Sequence, residues 1–566
     1  MTTVGLAGGG VAVEAIRAAL ADTEAKPAAI DIDAVGRSDI AVLVTEVEAT
    51  ALQRAAERAR ETDTPLVSVE LGGIGGQPVD GVDAAVSGYA PGTACPDCLR
   101  GRIEASDPET DDGHCEAPTA RFAGAVAGRE LAGLVSGQES TILGGVIELP
   151  YAQRRVLPIP YCACTDRSGS GHTLPRDAVS RSLEESISLA EAAFDDRVGP
   201  IESVGELESF PVPYYLATLA NAPFSDGDVP DHAAGVGLDW DPAFMKALGE
   251  ALERYSAAVY RTGAFRTEPE SPVDPAQFVQ PDGNDDGSVS YWHAAEHLGT
   301  GESLEVPAEL VVFPPPEQTV RPAITTGLGL GNGGPEAIRS GLYEVIERDA
   351  TMLAWYSTYE PIGLTVDDER FGTLADRAKS EGLSTTVLLL TQDIDVPVIA
   401  ACVHRDGEWP RFAAGSAARL DPAAAARDAL AEAIQNWLEL RRMGTERSGE
   451  AGGAIGTHAA FPDSARSFVA PETTVPASTV GPPSPPTGKA ELTALVDRVS
   501  ELGLNAYAAR LTPRDVEAMG FEAVRVLVPE AQPLFTGEPY FGERARTVPE
   551  SLGFEPRLDR EYHPFP

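Results

Sequence analysis

Three segments in the second half of the chain share one design, and they constrain the fold more than any other feature. Each begins with Asp-Pro or Gly-Pro, which sets a capping residue before the residue best tolerated in a first helical turn. Roughly three turns later, each carries two oxygen-bearing side chains three residues apart, which places both on one helix face. The segments are DPAFMKALGEALERYSAAVYR, GPEAIRSGLYEVIERDATMLAWY and DPAAAARDALAEAIQNWLELRRMG. The sequence therefore predicts three helices of this kind.

The paired side chains are mostly carboxylates. They are Glu250 with Glu253, Glu344 with Glu347, and Glu432 with Gln435. Small or apolar residues share these faces, so several carboxylates are expected to be partly buried and to need a compensating cation. Any one helix alone would be read as a solvated face with intrahelical ion pairs. Three together favour convergence on a hard cation such as Mg²⁺, which carboxylate and amide oxygens bind and which bridges nucleotide phosphates.

Two arginines accompany these carboxylates. Arg254 and Arg348 directly follow the second glutamate in two of the three helices, where they could pair with carboxylates or reach phosphate oxygens. The chain contains no G-x-x-x-x-G-K-[ST] motif. A nucleotide site built here would therefore not be a P-loop.

Two close cysteine pairs lie in the first third of the chain. Cys95 and Cys98 form a C-x-x-C, and Cys162 and Cys164 form a C-x-C. Four thiolates can close a tetrahedral zinc site, and with no position left open for water such a zinc would be structural. Two unrelated surface pairs, or a redox role for the first pair, are the alternatives. The other two cysteines have no close partner and are expected to be bystanders.

The segment from residue 1 to about 90 alternates apolar strands with alanine-rich helices, which predicts a small parallel α/β unit. A glycine run at residues 5–10 follows the first strand, and either nucleotide binding or helix packing would explain it. We predict one domain at 1–165, a linker at 166–177 and a second domain at 178–566. Within the second, residues 447–488 are rich in Gly, Pro and Ser and predict a long flexible insertion. The predicted fold class is α/β and α+β.

Charge excludes several kinds of partner. Acidic residues number 87 against 43 basic ones, for a formal net charge of −44. Such a surface resembles proteins of salt-loving archaea, and it lacks a basic stripe for nucleic acid or anionic membranes. No apolar run approaches the ~20 residues that a membrane span needs, and the N-terminus has no signal-peptide pattern. We expect a cytoplasmic protein.

The repeated E-x-x-E-R, the string EVIERDA and the later EAIQ resemble the YcaO family, whose ATP-binding fold differs from kinases and P-loop enzymes. The resemblance covers about residues 178–566 and includes GLGLGNGGPEAI, LTPRDVEAMGFEAVRVLVPEAQPL and the terminal HPFP. It implies that the glutamates bind Mg²⁺ and ATP phosphates and that the two arginines contact phosphate. The nucleotide and magnesium residues it implies are Glu250, Glu253, Arg254, Asn332, Glu336, Glu344, Glu347, Arg348, Glu432 and Gln435.

The sequence departs from the family pattern at several positions, among them Ser340, where the family often has Gln or His. The family's G-K-G loop appears as Gly235-Val236-Gly237, and Lys246, where the family has Ser, is the candidate to replace the missing lysine. Peptide-cyclising members end in P-x-P-x-P, whereas this chain ends YHPFP. An extended tail would place His563, or the terminal carboxylate of Pro566, as a base beside the site. A functionless tail is the alternative.

The cysteine-bearing region, with its CPDCLRGR string, resembles the ThiF-like zinc-tetrathiolate proteins that present leader peptides to YcaO partners. The combined resemblance implies a cyclodehydratase that uses ATP, Mg²⁺ and structural Zn²⁺ to turn Cys, Ser or Thr of a ribosomally made precursor peptide into azolines, as in bacteriocin biosynthesis. A downstream oxidase and a homodimer fit the same resemblance. Thioamide formation with external sulfide, and a non-catalytic peptide scaffold, are the alternatives.

Overall fold

The computed structural model describes residues 2–47, 49–138, 140–150, 152–164, 173–283, 288–448 and 455–566. The chain divides into two compact units. The first comprises Met1–Ser170, Glu191–Ser203 and Leu219–Ser225, and the second comprises Gly171–Ala190, Val204–Thr218 and Asp226–Pro566. Residues 166–172 of the predicted linker lie outside the described residues. The chain therefore enters the second unit, returns twice to the first, and then remains in the second.

Among its described residues, the first unit has a seven-stranded sheet in the order β2-β1-β3-β4-β5-β6-β7. The strands are β1 (Thr3–Ala7), β2 (Lys26–Ala29), β3 (Ile40–Glu46), β4 (Leu66–Leu71), β5 (Ala84–Tyr89), β6 (Gly145–Leu149) and β7 (Ala152–Arg155). The helices are α1 (Gly10–Leu20), α2 (Ala49–Glu61), α3 (Pro96–Ala105) and α4 (Ala117–Val135). Strands β1 to β4 pair in parallel, as the alternating sequence predicted, whereas β5 to β7 add antiparallel strands.

Glycines in this unit allow close backbone approach. Gly8, between β1 and α1, has φ of +110°, and a Cβ there would lie 2.2 Å from the Val44 carbonyl oxygen. Helix α4 crosses α1 at Gly124, where a Cβ would lie 2.2 Å from the Ala12 carbonyl oxygen. Backbone conformation and packing therefore account for Gly8, which was one of the two explanations left open by the sequence.

The second unit is built on three sheets among its described residues, in the orders β10-β9-β8, β12-β11-β19-β20-β13 and β17-β16-β15-β14-β18. The strands are β8 (Ile201–Glu208), β9 (Tyr214–Leu219), β10 (His232–Val236), β11 (Trp292–His297), β12 (Ser303–Pro307), β13 (Leu328–Gly331), β14 (Ile362–Thr365), β15 (Ser384–Leu389), β16 (Val398–His404), β17 (Phe412–Ala418), β18 (Thr474–Pro476), β19 (Tyr507–Arg510) and β20 (Glu522–Leu527). The helices are α5 (Leu183–Ala190), α6 (Trp240–Ala258), α7 (Gly334–Trp355), α8 (Glu369–Ser380), α9 (Pro422–Arg447), α10 (Ile455–His458), α11 (Asp463–Phe468), α12 (Lys489–Glu501), α13 (Arg514–Ala518) and α14 (Arg544–Leu552).

The three predicted acidic helices are α6, α7 and α9, and each packs on a glycine of a strand that precedes it. These glycines are Gly235 in β10, Gly329 in β13 and Gly415 in β17. A Cβ added to them would lie 2.2 Å from Ala247 N, 2.2 Å from Ala337 O and 2.5 Å from Ala433 N, respectively. Because glycine has no side chain and the facing helix positions carry small residues, each helix approaches its sheet closely. Close contact between the backbones of helix and strand therefore sets where each polar pair lies.

The sequence predicted a long flexible insertion at 447–488, and this prediction is wrong for much of the segment that the structure describes. Residues 455–488 contain α10, α11 and the strand β18, which pairs in parallel with β14. Phe461 and Phe468 are buried and pack into the core of the second unit. Apolar residues scattered among the prolines and glycines give this segment enough burial to order it. Residues 449–454 lie outside the described part of the chain.

Candidate functional site

Helices α6, α7 and α9 bring their carboxylates together around Glu344. The Glu344 charge acts on Glu250, Glu253, Glu347 and Glu432, which lie on all three helices. The convergence predicted from the three sequence segments is therefore present in the second unit. Since these carboxylates come from separate helices, intrahelical ion pairing alone does not describe them.

Burial disfavours the charged form of the carboxylates in this cluster. Burial, followed by the charges of Glu344 and Glu250, raises the pKa of Glu253 to about 8. Burial also raises the pKa of Glu347 to about 8, and the Glu432 charge adds to the rise. Carboxylates that resist ionisation when no cation is near become good ligands once a divalent ion neutralises them. The donor set, all oxygen and mostly carboxylate, fits Mg²⁺.

The two predicted arginines lie within this cluster. Arg254 donates from Nη2 to Glu250 Oε1 at 2.9 Å. Arg348 places Nη1 3.5 Å from Glu347 Oε1 and Nη2 4.0 Å from Glu432 Oε1. Burial works against the charge of Arg348, but the surrounding carboxylates outweigh it and raise its pKa. The Arg348 guanidinium group is therefore held charged among the glutamates, and Arg254 pairs with one of them.

Hydrogen-bond donors in β17 and immediately before β13 hold the carboxylates in place. Gly327 N donates to Glu344 Oε2 at 3.1 Å. Ser416 in β17 donates from Oγ to Glu347 Oε1 at 2.7 Å and from its backbone N–H to Glu432 Oε2 at 2.7 Å. Sequence reasoning missed Ser416. The one available signal was a single hydroxyl in the otherwise apolar strand FAAGSAA.

Arg525 in β20 is a second residue that sequence reasoning missed. Its side chain is only 2% exposed and donates from Nη2 to the Ile324 carbonyl at 2.7 Å, while Nε and Nη1 have no hydrogen-bond partner. Burial and the nearby charge of Arg321 lower its pKa to about 9, whereas Glu344 and Glu253 favour its charged form. The signal for it was a lone cation in the apolar strand EAVRVL.

Lys246 and Gln435 join the cluster at its edges. Lys246 is exposed on α6. Burial raises the pKa of Glu432 and opposes the lowering of the pKa of Asp428, and the Lys246 charge favours the ionised form of both carboxylates on α9. Gln435 donates to Glu439 Oε1 at 3.0 Å, and Glu439 in turn acts on Glu250. Lys246 thus faces the acidic helix, and Gln435 reaches the other carboxylates through Glu439.

Asn332 and Glu336 lie where β13 leads into α7. Asn332 N donates to Glu336 Oε2 at 2.9 Å. The Asn332 side-chain Oδ1 accepts from Arg181 Nη1 at 3.3 Å and from Ser186 Oγ at 3.0 Å. A guanidinium group can only donate, so the atom facing Arg181 must be the amide oxygen. The Asn332 NH₂ group is consequently the part left to contact a ligand.

The C-terminal tail is anchored in the second unit. His563 is completely buried, and its Nε2 donates to the Phe535 carbonyl at 3.0 Å. Tyr562 donates to the same carbonyl, and Phe565 is completely buried with its ring against Phe468. Burial lowers the pKa of His563 to about 4. The Arg348 charge adds to this lowering, so the His563 ring lies within reach of the charges of the cluster, while Pro566 at the terminus is half-buried.

The four predicted cysteines converge in the first unit. Their Sγ atoms all lie within 4.8 Å of one another, and no disulfide joins them. Sγ–Sγ distances are 3.7 Å for Cys95–Cys98, 3.5 Å for Cys95–Cys162 and 3.7 Å for Cys98–Cys164. A tetrahedron with Zn–S bonds of about 2.3 Å has edges of about 3.8 Å, whereas a disulfide measures about 2.0 Å. The cluster has the dimensions of a zinc site.

Comparison with known proteins identifies the family. The family model described as YcaO cyclodehydratase, ATP- and Mg²⁺-binding, matches residues 234–532, which include α6, α7 and α9. The chain belongs to the YcaO family.

Two relatives extend this comparison. An uncharacterized protein of Methanothermobacter thermautotrophicus is 29% identical over 389 residues, which is 63% of this chain and 96% of that protein. An uncharacterized protein from the tfuA 3′ region of Rhizobium leguminosarum bv. trifolii is 28% identical over 232 residues, covering 36% of this chain and 54% of that protein. Neither description assigns an activity.

Solved structures confirm the fold of the whole chain. A heterocyclase in complex with substrate and cofactor matches with a TM-score of 0.75 at 20% identity, covering 100% of this chain and 85% of that one. The heterocyclase TruD matches with a TM-score of 0.68 at 18% identity, covering 98% and 82%. The predicted combination of a ThiF-like α/β unit with a YcaO domain is therefore confirmed. Among the described residues, no helix is long and apolar enough to cross a membrane.

Proposed function

We propose that the second unit uses ATP and Mg²⁺ to phosphorylate a backbone amide oxygen in a ribosomally made peptide, and so closes Cys, Ser or Thr side chains into azoline rings. The observation that carries the proposal is the convergence of buried carboxylates from three helices, with two arginines among them, around Glu344. Membership of a family of ATP- and Mg²⁺-binding cyclodehydratases supports it.

The chemistry explains why such a site is needed. An amide carbonyl is a weak electrophile, and its oxygen is a poor leaving group. The substrate thiol or hydroxyl loses its proton as it adds to the carbonyl carbon, and the former carbonyl oxygen takes the γ-phosphoryl group of ATP as ADP leaves. Phosphate then leaves with that oxygen as the amide nitrogen loses its proton and forms the C=N bond of the ring. Each ring costs one ATP and removes the elements of one water from the peptide.

The residues divide this work by charge. Glu250, Glu253, Glu344 and Glu347 are proposed to hold Mg²⁺, which neutralises charge on the phosphates. Arg254, Arg348 and Lys246 bind phosphate oxygens. Asn332 donates a hydrogen bond from its NH₂ group to the nucleotide. Glu432 and Gln435 complete the set from α9, and Glu336 anchors the backbone of Asn332. Preorganised charges of this kind stabilise the transferring group without further rearrangement.

The first unit is proposed to carry structural zinc on its four cysteines and to present the precursor peptide. The Sγ distances fit zinc, and full thiolate coordination leaves no open position for catalysis. The wild-type protein should contain one zinc ion per chain by metal analysis. Cys98→Ser should lose it, whereas Cys115→Ser, outside the cluster, should retain it. Full zinc content in Cys98→Ser would remove that residue from the site.

The central experiment measures Mg²⁺-dependent ATP hydrolysis by the purified protein in concentrated KCl, with and without small peptides encoded beside its gene. Peptide-stimulated phosphate release, with loss of one water per modified residue by mass spectrometry, is expected. Glu344→Gln should abolish turnover while keeping the wild-type circular dichroism spectrum. Glu369→Gln, which alters an exposed side chain on α8, should retain turnover. Normal turnover by Glu344→Gln would contradict the assignment.

Two alternatives give different results in the same assay. Thioamide formation would exchange oxygen for sulfur in the peptide and would depend on added sulfide. A peptide scaffold is favoured by Val236 in place of the family's loop lysine, and it would bind peptide but not ATP. Calorimetric titration with ATP and Mg²⁺ distinguishes the scaffold from both enzymes.

A further inference from the structure

Arg321 is a buried cation without a counter-ion. Its side chain is 9% exposed, and burial lowers its pKa. Its Nε is buried with no hydrogen-bond partner, and across the described residues the guanidinium group forms no hydrogen bond or ion pair within contact distance. Burying an unpaired charge is expensive, so proteins normally supply a partner. None of the described residues supplies one within hydrogen-bonding distance of Arg321.

The groups around Arg321 are already engaged. Glu309, whose charge acts on Arg321, accepts hydrogen bonds from Thr319 and Val320. Gln532 lines the same cavity, but its Nε2 donates to two backbone carbonyls and its Oε1 accepts from Gly542 N. Neither side chain forms a hydrogen bond or ion pair with the guanidinium group in the described structure.

Arg321 lines a small cavity, in which the centres of water-sized molecules have a volume of about 20 Å³. The other lining residues are Phe278, Thr326, Val345, Val526, Leu527, Val528, Ala531, Gln532 and Pro533. Most of these walls are apolar, which strengthens any electrostatic interaction made inside. The cavity therefore offers a positively charged group in low-dielectric surroundings.

A second buried donor accompanies the arginine. Tyr540 is 5% exposed, and its hydroxyl is buried without a hydrogen-bond partner. Tyr540 and Arg321 interact electrostatically although more than two hundred positions separate them in the sequence. The Arg321 Nε and the Tyr540 hydroxyl are thus two buried donors that lack an acceptor among the described residues.

We propose that Arg321 and Tyr540 bind a small monovalent anion, either a halide or a small carboxylate. One guanidinium group balances one negative charge, and the phenol hydroxyl supplies a further hydrogen bond. A phosphate dianion would bring more charge and more acceptors than these two donors satisfy. No residue assigned above to ATP or Mg²⁺ lines this cavity, but the Arg321 charge acts on Arg525. The cavity also borders the same elements, because Val345 follows Glu344 in α7 and Val526 follows Arg525 in β20. A bound anion would support the packing of α7 on β20.

The test measures stability of the full-length protein and does not use ATP turnover. Potassium gluconate, too bulky for the cavity, sets a constant ionic strength and is replaced stepwise by chloride, bromide, formate or phosphate. The thermal unfolding midpoint of the wild type should rise along a saturable curve with a halide or with formate. Arg321→Met should weaken the apparent anion affinity at least tenfold, and Tyr540→Phe should weaken it less. Arg370→Met, at an exposed arginine, should match the wild type.

The response identifies the anion. A rise with chloride and bromide assigns a halide, and a rise with formate alone assigns a carboxylate. Identical curves for the wild type and Arg321→Met, or stabilisation by phosphate alone, would overturn the proposal. If Arg321→Met does not fold, Tyr540→Phe and anomalous scattering from wild-type crystals soaked in bromide or a brominated carboxylate decide the question. Anomalous density beside Arg321 supports the site, and water alone there refutes it.

Discussion

Ser416 Oγ donates a 2.7 Å hydrogen bond to Glu347 Oε1, and the backbone N–H of the same residue donates to Glu432. One residue of β17 therefore holds carboxylates from α7 and α9 that would otherwise repel each other. The shape of the acidic cluster is set by the strand as well as by the helices. This relationship makes Ser416 a sensitive point at which to test the proposed site.

Ser416→Ala should shift the acidic limb of the pH–activity profile upward. Burial raises the pKa of Glu347 to about 8, and the Ser416 hydrogen bond opposes that rise. Without it the pKa rises further, so Glu347 needs a higher pH to ionise and bind Mg²⁺. A hydrogen bond to a charged group contributes roughly 1.5–3 kcal/mol, which corresponds to about one pH unit or more. Profiles of kcat/KM against pH for Ser416→Ala and the exposed-site control Ser467→Ala measure this, and superimposable profiles would refute it.

Lys246→Met should weaken ATP binding. The Lys246 charge acts on Glu432 and Asp428. Without it, the negative charge on α9 is less compensated and repels phosphate more strongly. We expect KM for ATP to rise about tenfold, as for the loss of one charge-assisted contact, with a smaller change in kcat. Lys379→Met, an exposed lysine on α8, is the matched control. If both variants keep wild-type KM values, Lys246 does not replace the missing loop lysine.

Arg181→Met should disorder the Asn332 amide. Arg181 and Ser186 hold the amide oxygen, and without the guanidinium group the amide can turn its oxygen toward the nucleotide, where it repels phosphate. We expect KM for ATP to rise several-fold while the unfolding midpoint changes less, because Arg181 is only partly buried. Arg181→Lys should recover part of the loss. Equal KM values for Arg181→Met and Arg370→Met would show that Arg181 does not position Asn332.

His563 should make the protein less stable as the pH falls. Burial lowers its pKa from the usual 6.5 to about 4, so the unfolded chain takes up a proton below pH 6.5 while the folded chain resists it until about pH 4. The stability is therefore present above pH 6.5 and is lost as the pH falls through this window, by roughly 2 kcal/mol between pH 7 and 5. The variant His563→Gln keeps a donor for Phe535 but does not titrate. In denaturant unfolding, its free energy of unfolding should fall by roughly 2 kcal/mol less than that of the wild type between pH 7 and 5. His232→Gln, at an exposed position, should follow the wild type.

The sequence determined the features that depend on neighbouring residues. Helix starts follow from Asp-Pro and Gly-Pro, and the three-residue spacing of Glu344 and Glu347 places both on one face because an α-helix repeats every 3.6 residues. The two cysteine pairs likewise defined a candidate zinc site, since each pair lies within one short turn. Resemblance to a known family added the nucleotide site, which the helices alone left open.

Tertiary structure decided which of these faces meet. Glycines on three strands set how closely each helix approaches, strand register places Ser416 between Glu347 and Glu432, and burial makes Arg525 part of the cluster. The same packing encloses His563, for which the sequence predicted a position beside the site, and orders most of the described part of an insertion that its composition predicted to be flexible. These outcomes depend on contacts between residues far apart in the chain, and local patterns carry no record of them.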